Sequence, residues 1–481
     1  MIFSSPTFLF VFLPIFILLY YFLPWKNSIL LIASMIFYSW GEPVYVLLML
    51  AVIYSNFMFG KFVDASEGRK EKFWLAACIA FNVTVLVFFK YSGFIVENIN
   101  AILVNLSISP IEFNEPHLPL GISFFIFQAI TYVVDIYRRH ATVEQSPYNV
   151  ALYISMFPQL VAGPIVRFEE ISKAIHHRVT SISHVVSGIE RFVKGLAKKV
   201  LIADPLSVPV DLIFSAPASS LPPETAWFGI LCFSLQIFFD FSAYSDMAIG
   251  LGRAMGFKFP ENFNYPYRSR SLQEFWRRWH MTLSRWFRDY VYIPLGGNRV
   301  SMARVYVNLI AVFILTGFWH GASWTFLIWG LFHGLFMLME RVGLKDLLDR
   351  MPRILQHSYL LLVIIISWVF FRADDLPHAL HYIKAMFVPD AVDYAHYSLM
   401  NYISPYMVAV FLIGAFIAVN PLKVYRYRII KGFVRDRFGI EPHTSASILS
   451  GAQLAIYAVL LLLSLSAVAT QTHQAFIYFR F

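Results

Sequence analysis

Val305 to Met339 reads VYVNLIAVFILTGFWHGASWTFLIWGLFHGLFMLM, 35 residues with no Asp, Glu, Lys or Arg. As one straight helix this run would be roughly 52 Å long. The hydrocarbon core of a bilayer is only about 30 Å thick. The run must therefore break or turn. Gly317 and Gly321 flank His320, and glycine is where a helix is interrupted at least cost. Helical spacing puts Thr316, His320 and either Ser323 or Trp324 on one stripe. A break there places the imidazole on irregular backbone, which survives at membrane depth only where it lines a cavity or is buried in protein. The small neighbours in TGFWHGASW leave room for a substrate.

The rest of the chain points to the same solvent. Its 481 residues are 58% hydrophobic, 18% aromatic and 14% charged, against roughly 25% charged in a soluble protein. Many apolar runs reach the roughly 20 residues that a membrane-crossing helix needs. They are continuously apolar, not alternating, which favours helices over a barrel. The expected fold class is an all-α polytopic integral membrane protein. The net charge of +9 reads as cytoplasmic loop bias and contact with anionic membrane lipid, not as a nucleic-acid surface. Cys78 and Cys232 lie inside apolar runs, which argues against a disulfide framework or a cysteine metal site. The opening MIFSSPTFLFVFLPIFILLYYFLPWK has no basic residue before its apolar run and no small-residue cleavage site after it, so it reads as a retained first span.

Candidate spans cover 6–24, 27–41, 43–60, 73–91, 117–137, 147–165, 196–214, 225–251, 305–320, 322–340, 356–371, 402–420 and 450–470. Several are short or broken, so the expectation is about eleven full crossings plus re-entrant pieces. Basic clusters at Lys61 to Lys72, at Arg138 and Arg139, over 167–199, over 253–304 and from Lys423 to Arg437 mark the cytoplasmic side. An odd number of spans before Lys61 then puts the N-terminus outside, in the periplasm of a bacterium. Residues 92–116 read as an outer loop with a surface helix. No internal repeat or low-complexity linker is visible, and 1–481 reads as one integral domain.

The segment NFNYPYRSRSLQEFWRRWHMTLSRWFRDYVYIPLGGNR, within 262–300, carries more information. Read as a helix over 271–291, it gathers Leu272, Phe275, Trp276, Trp279, Leu283, Trp286, Phe287 and Tyr290 on one side. Gln273, Arg277, Arg278, Arg285 and Arg288 lie on the other, and Ser271 with Glu274 makes a capping box. Two readings stand side by side. Such a helix lies flat at a bilayer interface, aromatic side down. Alternatively it floors a buried site, where its arginines meet the phosphates of an anionic donor such as a coenzyme A thioester.

An ionisable residue inside a membrane is a functional candidate by default, although a lone histidine can also simply bond a neighbouring helix. His333 fits that plainer reading; the glycines and small polar neighbours favour function for His320. An imidazole takes a proton from an acceptor hydroxyl near neutral pH. Burial disfavours imidazolium and keeps the ring neutral and basic. The activated oxygen then attacks a thioester carbonyl. No serine nucleophile is required, and no G-x-S-x-G elbow or Walker A motif is present. His378 and His381 form an H-x-x-H pair beside Pro377, read as a loop, with no cysteine near them; no metal site is expected.

The WHG of residues 319–321, with FWRRWHMTLSRWFRDYVYIPLGGNR ahead of it, resembles the membrane-bound O-acyltransferase (MBOAT) superfamily, and most of all its bacterial alginate O-acetylase (AlgI) branch. FSSPTFLFVFLP, GISFFIFQAITYVVDIYRR, FPQLVAGPIVRF, FFDFSAYSDMAIGLGRAMGF and ENFNYPYRSRS strengthen the likeness, which runs from residue 1 to about 340; residues 341–481 are generic. The resemblance implies about eleven helices around a central funnel, with His320 as the catalytic histidine at a tunnel and His280 as a second important position on the cytoplasmic side. Asn264, Trp319 and Asp246 fall in matching motifs without an assigned role. It also implies acetyl-CoA or another activated acyl donor as a cytoplasmic substrate, no bound cofactor, and periplasmic polysaccharide-acetylation proteins as partners in a bacterial inner membrane. Within that class the acceptor could also be cellulose, peptidoglycan or, with a D-alanine carrier protein, teichoic acid. From another class, a membrane transporter also uses broken helices and a buried histidine.

Overall fold

The structure, a computed structural model, describes residues 1–389, 392–419 and 442–470. Every regular element among the described residues is a helix. In chain order the helices used below are α1 (Phe8–Phe22), α2 (Lys26–Ser39), α3 (Tyr45–Asp64), α4 (Gly68–Asn105), α5 (Ile122–Tyr137), α6 (Pro147–Ser155), α7 (Ile182–Lys198), α8 (Asp204–Phe214) and α9 (Pro223–Ala254). They continue with α10 (Leu272–Trp276), α11 (Met281–Phe287), α12 (Met302–His320), α13 (Trp324–Met339), α14 (Arg353–Arg372), α15 (Leu376–Phe387), α16 (Pro405–Val419) and α17 (Pro442–Thr470). Large apolar side chains such as Phe22, Leu47, Ile102 and Leu454 face outward, as lipid contact allows.

Among the described residues, 7 helices are long and apolar enough to cross a membrane, or 8 if the pair Tyr394–Asn401 and Pro405–Val419, bent by 61°, is one crossing. The expected count of about eleven is not reached by this measure. α1 and α5 are apolar but shorter. The expected span over 147–165 is interrupted at Met156, after which Pro158 sits in the first turn of a new short helix, Phe157–Leu160, where its missing N–H costs nothing. Residues 92–105 continue α4 past the widened turn at Val87–Tyr91 and do not form a separate surface helix. The basic stretch from Lys423 to Arg437 lies outside the described residues.

α9 is the most enclosed of the crossing helices. It can pack so closely because glycines face glycines: a Cβ on Gly188 of α7 would lie 2.6 Å from the Gly250 carbonyl oxygen, and one on Gly250 would lie 2.6 Å from the Gly188 oxygen. Small residues at such crossings let helix backbones approach in lipid. The same contact region holds buried charge. Lys199 Nζ, in the turn joining α7 to α8, lies 2.6 Å from Asp204 and 2.7 Å from Asp240 of α9. Pairing of this kind offsets the cost of burying the ions.

Candidate active site

The long uncharged run turns back beside His320, as its length requires. α12 ends with His320, Gly321 is extended at φ −170° and ψ 154°, and Ser323 starts α13 as its N-cap. The break falls at Gly321, as expected, and the glycines also serve a second purpose. A Cβ on Gly317 would lie 2.3 Å from the Phe326 carbonyl oxygen, and one on Gly330 would lie 2.4 Å from that of Phe313. A Cβ on Gly321 would lie 2.2 Å from the Phe326 ring. The missing side chains let α12 and α13 close on each other, so this space is filled by protein and is not room for a substrate.

His320 is buried, and its ring is walled by aromatics from three helices. Trp319 of α12 lies at 4.8 Å between ring centroids, Trp329 of α13 at 5.0 Å and Phe371 of α14 at 5.1 Å. Nδ1 has no hydrogen-bond partner among the described residues. Such rings supply no competing charge. Trp319 is buried as well, and its indole stands 5.8 Å from the ring of His280. The two histidines, 40 residues apart in sequence, therefore meet across one tryptophan.

The continuous amphipathic helix expected over 271–291 is not formed. α10 ends at Trp276, the chain turns through Arg277 to His280, and α11 starts at Met281. His280 is left-handed, with φ 40° and ψ 54°. The reason is Asn262, on the preceding irregular segment. Its backbone carbonyl accepts from the Met281 N–H at 2.9 Å, and the Asn264 N–H donates to the Arg278 carbonyl at 2.9 Å. Its side-chain Oδ1 accepts from the Thr282 hydroxyl at 2.9 Å and the Thr282 N–H at 3.3 Å. These extended pairings replace the helix. They also turn the aromatic side into the protein: Phe275, Trp276, Trp279, Leu283, Trp286 and Phe287 are all buried, so the segment does not lie flat on lipid. Of the expected capping box only half forms, since Ser271 accepts from Glu274 N while the Glu274 carboxylate takes Arg270 N.

Asn262 also sets the proton of His280. The backbone donor of Thr282 identifies Oδ1 as the amide oxygen, so His280 Nδ1, 3.0 Å from that oxygen, is the donor. Nε2 is then left with a lone pair, buried and without a partner among the described residues. Sequence reading singled out Asn264 and missed Asn262. An asparagine among loop residues carries no local signal of its distant partners.

The four arginines do not act together. Arg277 and Arg278 line a cleft of about 660 Å³ with Asn264, Arg270, Gln273 and Lys345 among its walls. Arg278 is tied to Glu274 at 2.9 Å and to the Asn264 carbonyl at 3.2 Å, and Lys345 to Asp349 at 2.7 Å. Arg270 and Arg277 make no ion pair among the described residues, which leaves these two as the cleft's available cations. Arg285 and Arg288 belong to a different cluster. Arg285 lies 3.7 Å from Glu170 and Arg288 2.7 Å from Asp289. The Asp289 carboxylate, hydrogen-bonded to Arg288, raises the guanidinium further above its already high pKa. Helical periodicity had put all four on one surface; the break at His280 separates them.

Other residues singled out take structural positions. Asp246 is held by Lys198 at 2.6 Å and Arg191 at 2.6 Å. His378 and His381 sit on α15, not on a loop, because Asp375 caps its start and Pro377 suits its first turn. Cys78 and Cys232 are free and buried; Cys78 donates to Asn56 at 3.3 Å within an asparagine pair. His333 does not bond a neighbouring helix. It is wholly buried against Trp276 and Trp329, with neither ring nitrogen partnered among the described residues. Two residues nearer the site were missed: Lys90 and Tyr91 of α4 donate to backbone carbonyls at the end of α12. Here the signal existed, since Lys90 interrupts an otherwise apolar run.

Two imidazoles buried among aromatics at a helix break, one of them donating from Nδ1 to Asn262, form a site able to move a proton to or from a hydroxyl or thiol. Comparison with known proteins gives the family. The chain is 42% identical over 391 residues to the "Probable alginate O-acetylase AlgI" of Azotobacter vinelandii, covering 80% of this chain and 78% of that protein. It is 38% identical over 438 residues to the "Peptidoglycan O-acetyltransferase" of Helicobacter pylori, covering 83% of this chain and 82% of that protein. It is 28% identical over 315 residues to the "Teichoic acid D-alanyltransferase" of Bacillus subtilis, covering 60% of this chain and 78% of that protein. The model of the MBOAT, membrane-bound O-acyltransferase family matches residues 32–372, a stretch that holds both histidines, their tryptophan and the closing hairpin. The chain therefore belongs to the membrane-bound O-acyltransferase family, and it is a multi-pass membrane acyltransferase.

Proposed function

We propose that this protein takes acetyl from acetyl-CoA on the cytoplasmic side of a bacterial inner membrane and passes it across for O-acetylation of a secreted polysaccharide, alginate before other polymers. The observation that carries the reading is the buried His320 at the break between α12 and α13, with His280 behind Trp319. His320 removes the proton from an acceptor hydroxyl. The freed oxygen attacks the thioester carbonyl, the C–S bond breaks, and the thiolate leaves as the free thiol after taking up that proton. Dry aromatic walls suppress hydrolysis, because water cannot compete with the acceptor. Arg277, at the cleft, suits the phosphates of the donor, with Arg278 and Asn264 shaping the same wall. The basic clusters face the cytoplasm, so the N-terminus lies in the periplasm, where polysaccharide-acetylation proteins complete delivery.

Likeness to proteins named for alginate acetylation supports alginate; likeness to one named for peptidoglycan keeps a second cell-envelope polymer in view. Membership of an acyltransferase family displaces the transporter alternative.

The test replaces His320 by Ala, confirms membrane insertion, and measures polymer-linked acetyl ester. Loss of a proton-transferring side chain should lower transfer by at least about a hundredfold. Normal acetylation in the inserted variant refutes the reading. His280→Ala, measured alongside, should also lower transfer; unchanged transfer there removes His280 and leaves His320 standing.

A further inference from the structure

We propose that Lys90 is a positioning residue that, with Tyr91, holds the backbone of His320 in place. The last carbonyls of a helix lack partners within it. At the end of α12 each finds one. Gly317 accepts from the Gly321 N–H at 3.3 Å, Phe318 from the Tyr91 hydroxyl at 2.7 Å, Trp319 from Lys90 Nζ at 2.5 Å and His320 from Lys90 Nζ at 3.4 Å. A cation is favoured at this end of a helix.

Three observations set this apart from an ordinary cap. Lys90 is buried within the crossing helix α4, and no carboxylate pairs with it among the described residues. An ionisable side chain without a counter-ion inside a membrane is expensive and marks a functional position. Second, α4 widens by one residue per turn over Val87–Tyr91. In a regular helix neighbouring side chains diverge by about 100°; here Lys90 and Tyr91 both reach consecutive carbonyls of α12, and such widened turns occur at functional sites. Third, no hydrogen bond among the described residues holds the His320 ring, so its aim depends on its backbone and its aromatic walls.

The inference rests on His320 being the acyl-transfer histidine, and the experiment separates the two claims. The full chain is placed in proteoliposomes as parent, Lys90→Met, Lys90→Gln, Lys90→Arg and His320→Ala. Thiol release from acetyl-CoA gives kcat and KM. Carbethoxylation of His320 by diethyl pyrocarbonate, read by mass spectrometry against exposed His184, reports the imidazole's setting without any donor. Misplacing a reacting group should lower kcat of Lys90→Met by about a hundredfold with KM unchanged and the His320 modification rate altered severalfold. Lys90→Arg, which keeps the charge, should exceed Lys90→Gln in kcat. Lys90→Met at parental kcat with a parental modification rate overturns the proposal. If Lys90→Met does not insert, Lys90→Gln equal to or better than Lys90→Arg overturns it instead. If the parent releases no thiol, or His320→Ala still does, the functional reading falls, while the modification rates still decide the role of Lys90.

Discussion

At the scale of single residues, His280 carries the clearest strain. A non-glycine residue in the left-handed region costs roughly 1–2 kcal/mol, and His280 sits there at φ 40°. Asn262 offsets that cost with contacts to Met281, Thr282 and the imidazole itself, and its Nδ2 donates to Ser245 of α9 at 3.0 Å. One asparagine thus ties the turn, the tautomer of His280 and the central helix together. Asn262→Ala should destabilise by about 1–3 kcal/mol, the cost of leaving buried partners unsatisfied, and should lower acyl transfer more than that loss of folded protein explains. Thermal unfolding in detergent and specific activity per folded molecule check the two parts. Activity in proportion to folded protein would make Asn262 structural only.

At the scale of elements, the hairpin of α12 and α13 depends on two glycines. Gly317 and Gly330 bring the helices close enough that an added Cβ meets a carbonyl oxygen at 2.3 and 2.4 Å, and backbone cannot step aside as a flexible side chain can. Even Gly330→Ala should cost about 1–3 kcal/mol through overpacking and should shift His320 away from Phe371, with activity falling further than stability. Gly451→Ala on α17, where nothing lies within 4 Å, is the matched control and should change neither. Folded yield and transfer activity of the pair give the answer. The neighbouring element is tied down differently. Glu340 accepts from the Leu272 and Gln273 N–H groups at 2.6 and 3.0 Å, so the start of α10 is already occupied by an internal carboxylate.

At the scale of the whole molecule, two charged features lie far apart in sequence. The buried group of Lys199, Asp204 and Asp240 fastens the α7–α8 rod to α9. Removing one member of a buried ion group leaves the others uncompensated, so Lys199→Met should cost about 3–5 kcal/mol, seen as a lowered thermal midpoint or loss of folded protein. An unchanged midpoint would show that the contact adds nothing. The cleft with Arg277 acts on binding instead. Arg277→Glu should raise KM for an anionic donor, with kcat little affected, and should flatten the dependence of KM on salt. A KM unchanged by Arg277→Glu at low salt would remove the cleft from donor binding.

The uncharged run over 305–339 was enough by itself to show a membrane helix that breaks beside His320, because its length exceeds the bilayer and composition alone measures both. Motifs along the first 340 residues likewise pointed to the family, and to His320 and His280 within it. Periodicity failed over 271–291. There the contacts that win are long-range: Asn262 to Thr282, Glu340 to Leu272, Phe241 to His280 at 4.6 Å between rings. A helical repeat cannot register partners 20 to 70 residues away. The same reason hid Lys90, whose role exists only because α4 lies against the end of α12, 229 residues on. What composition and local pattern determined was the solvent, the helices and the break. What tertiary structure alone decided was which polar groups meet at that break, since hydrogen bonds across helices depend on packing and not on spacing along the chain.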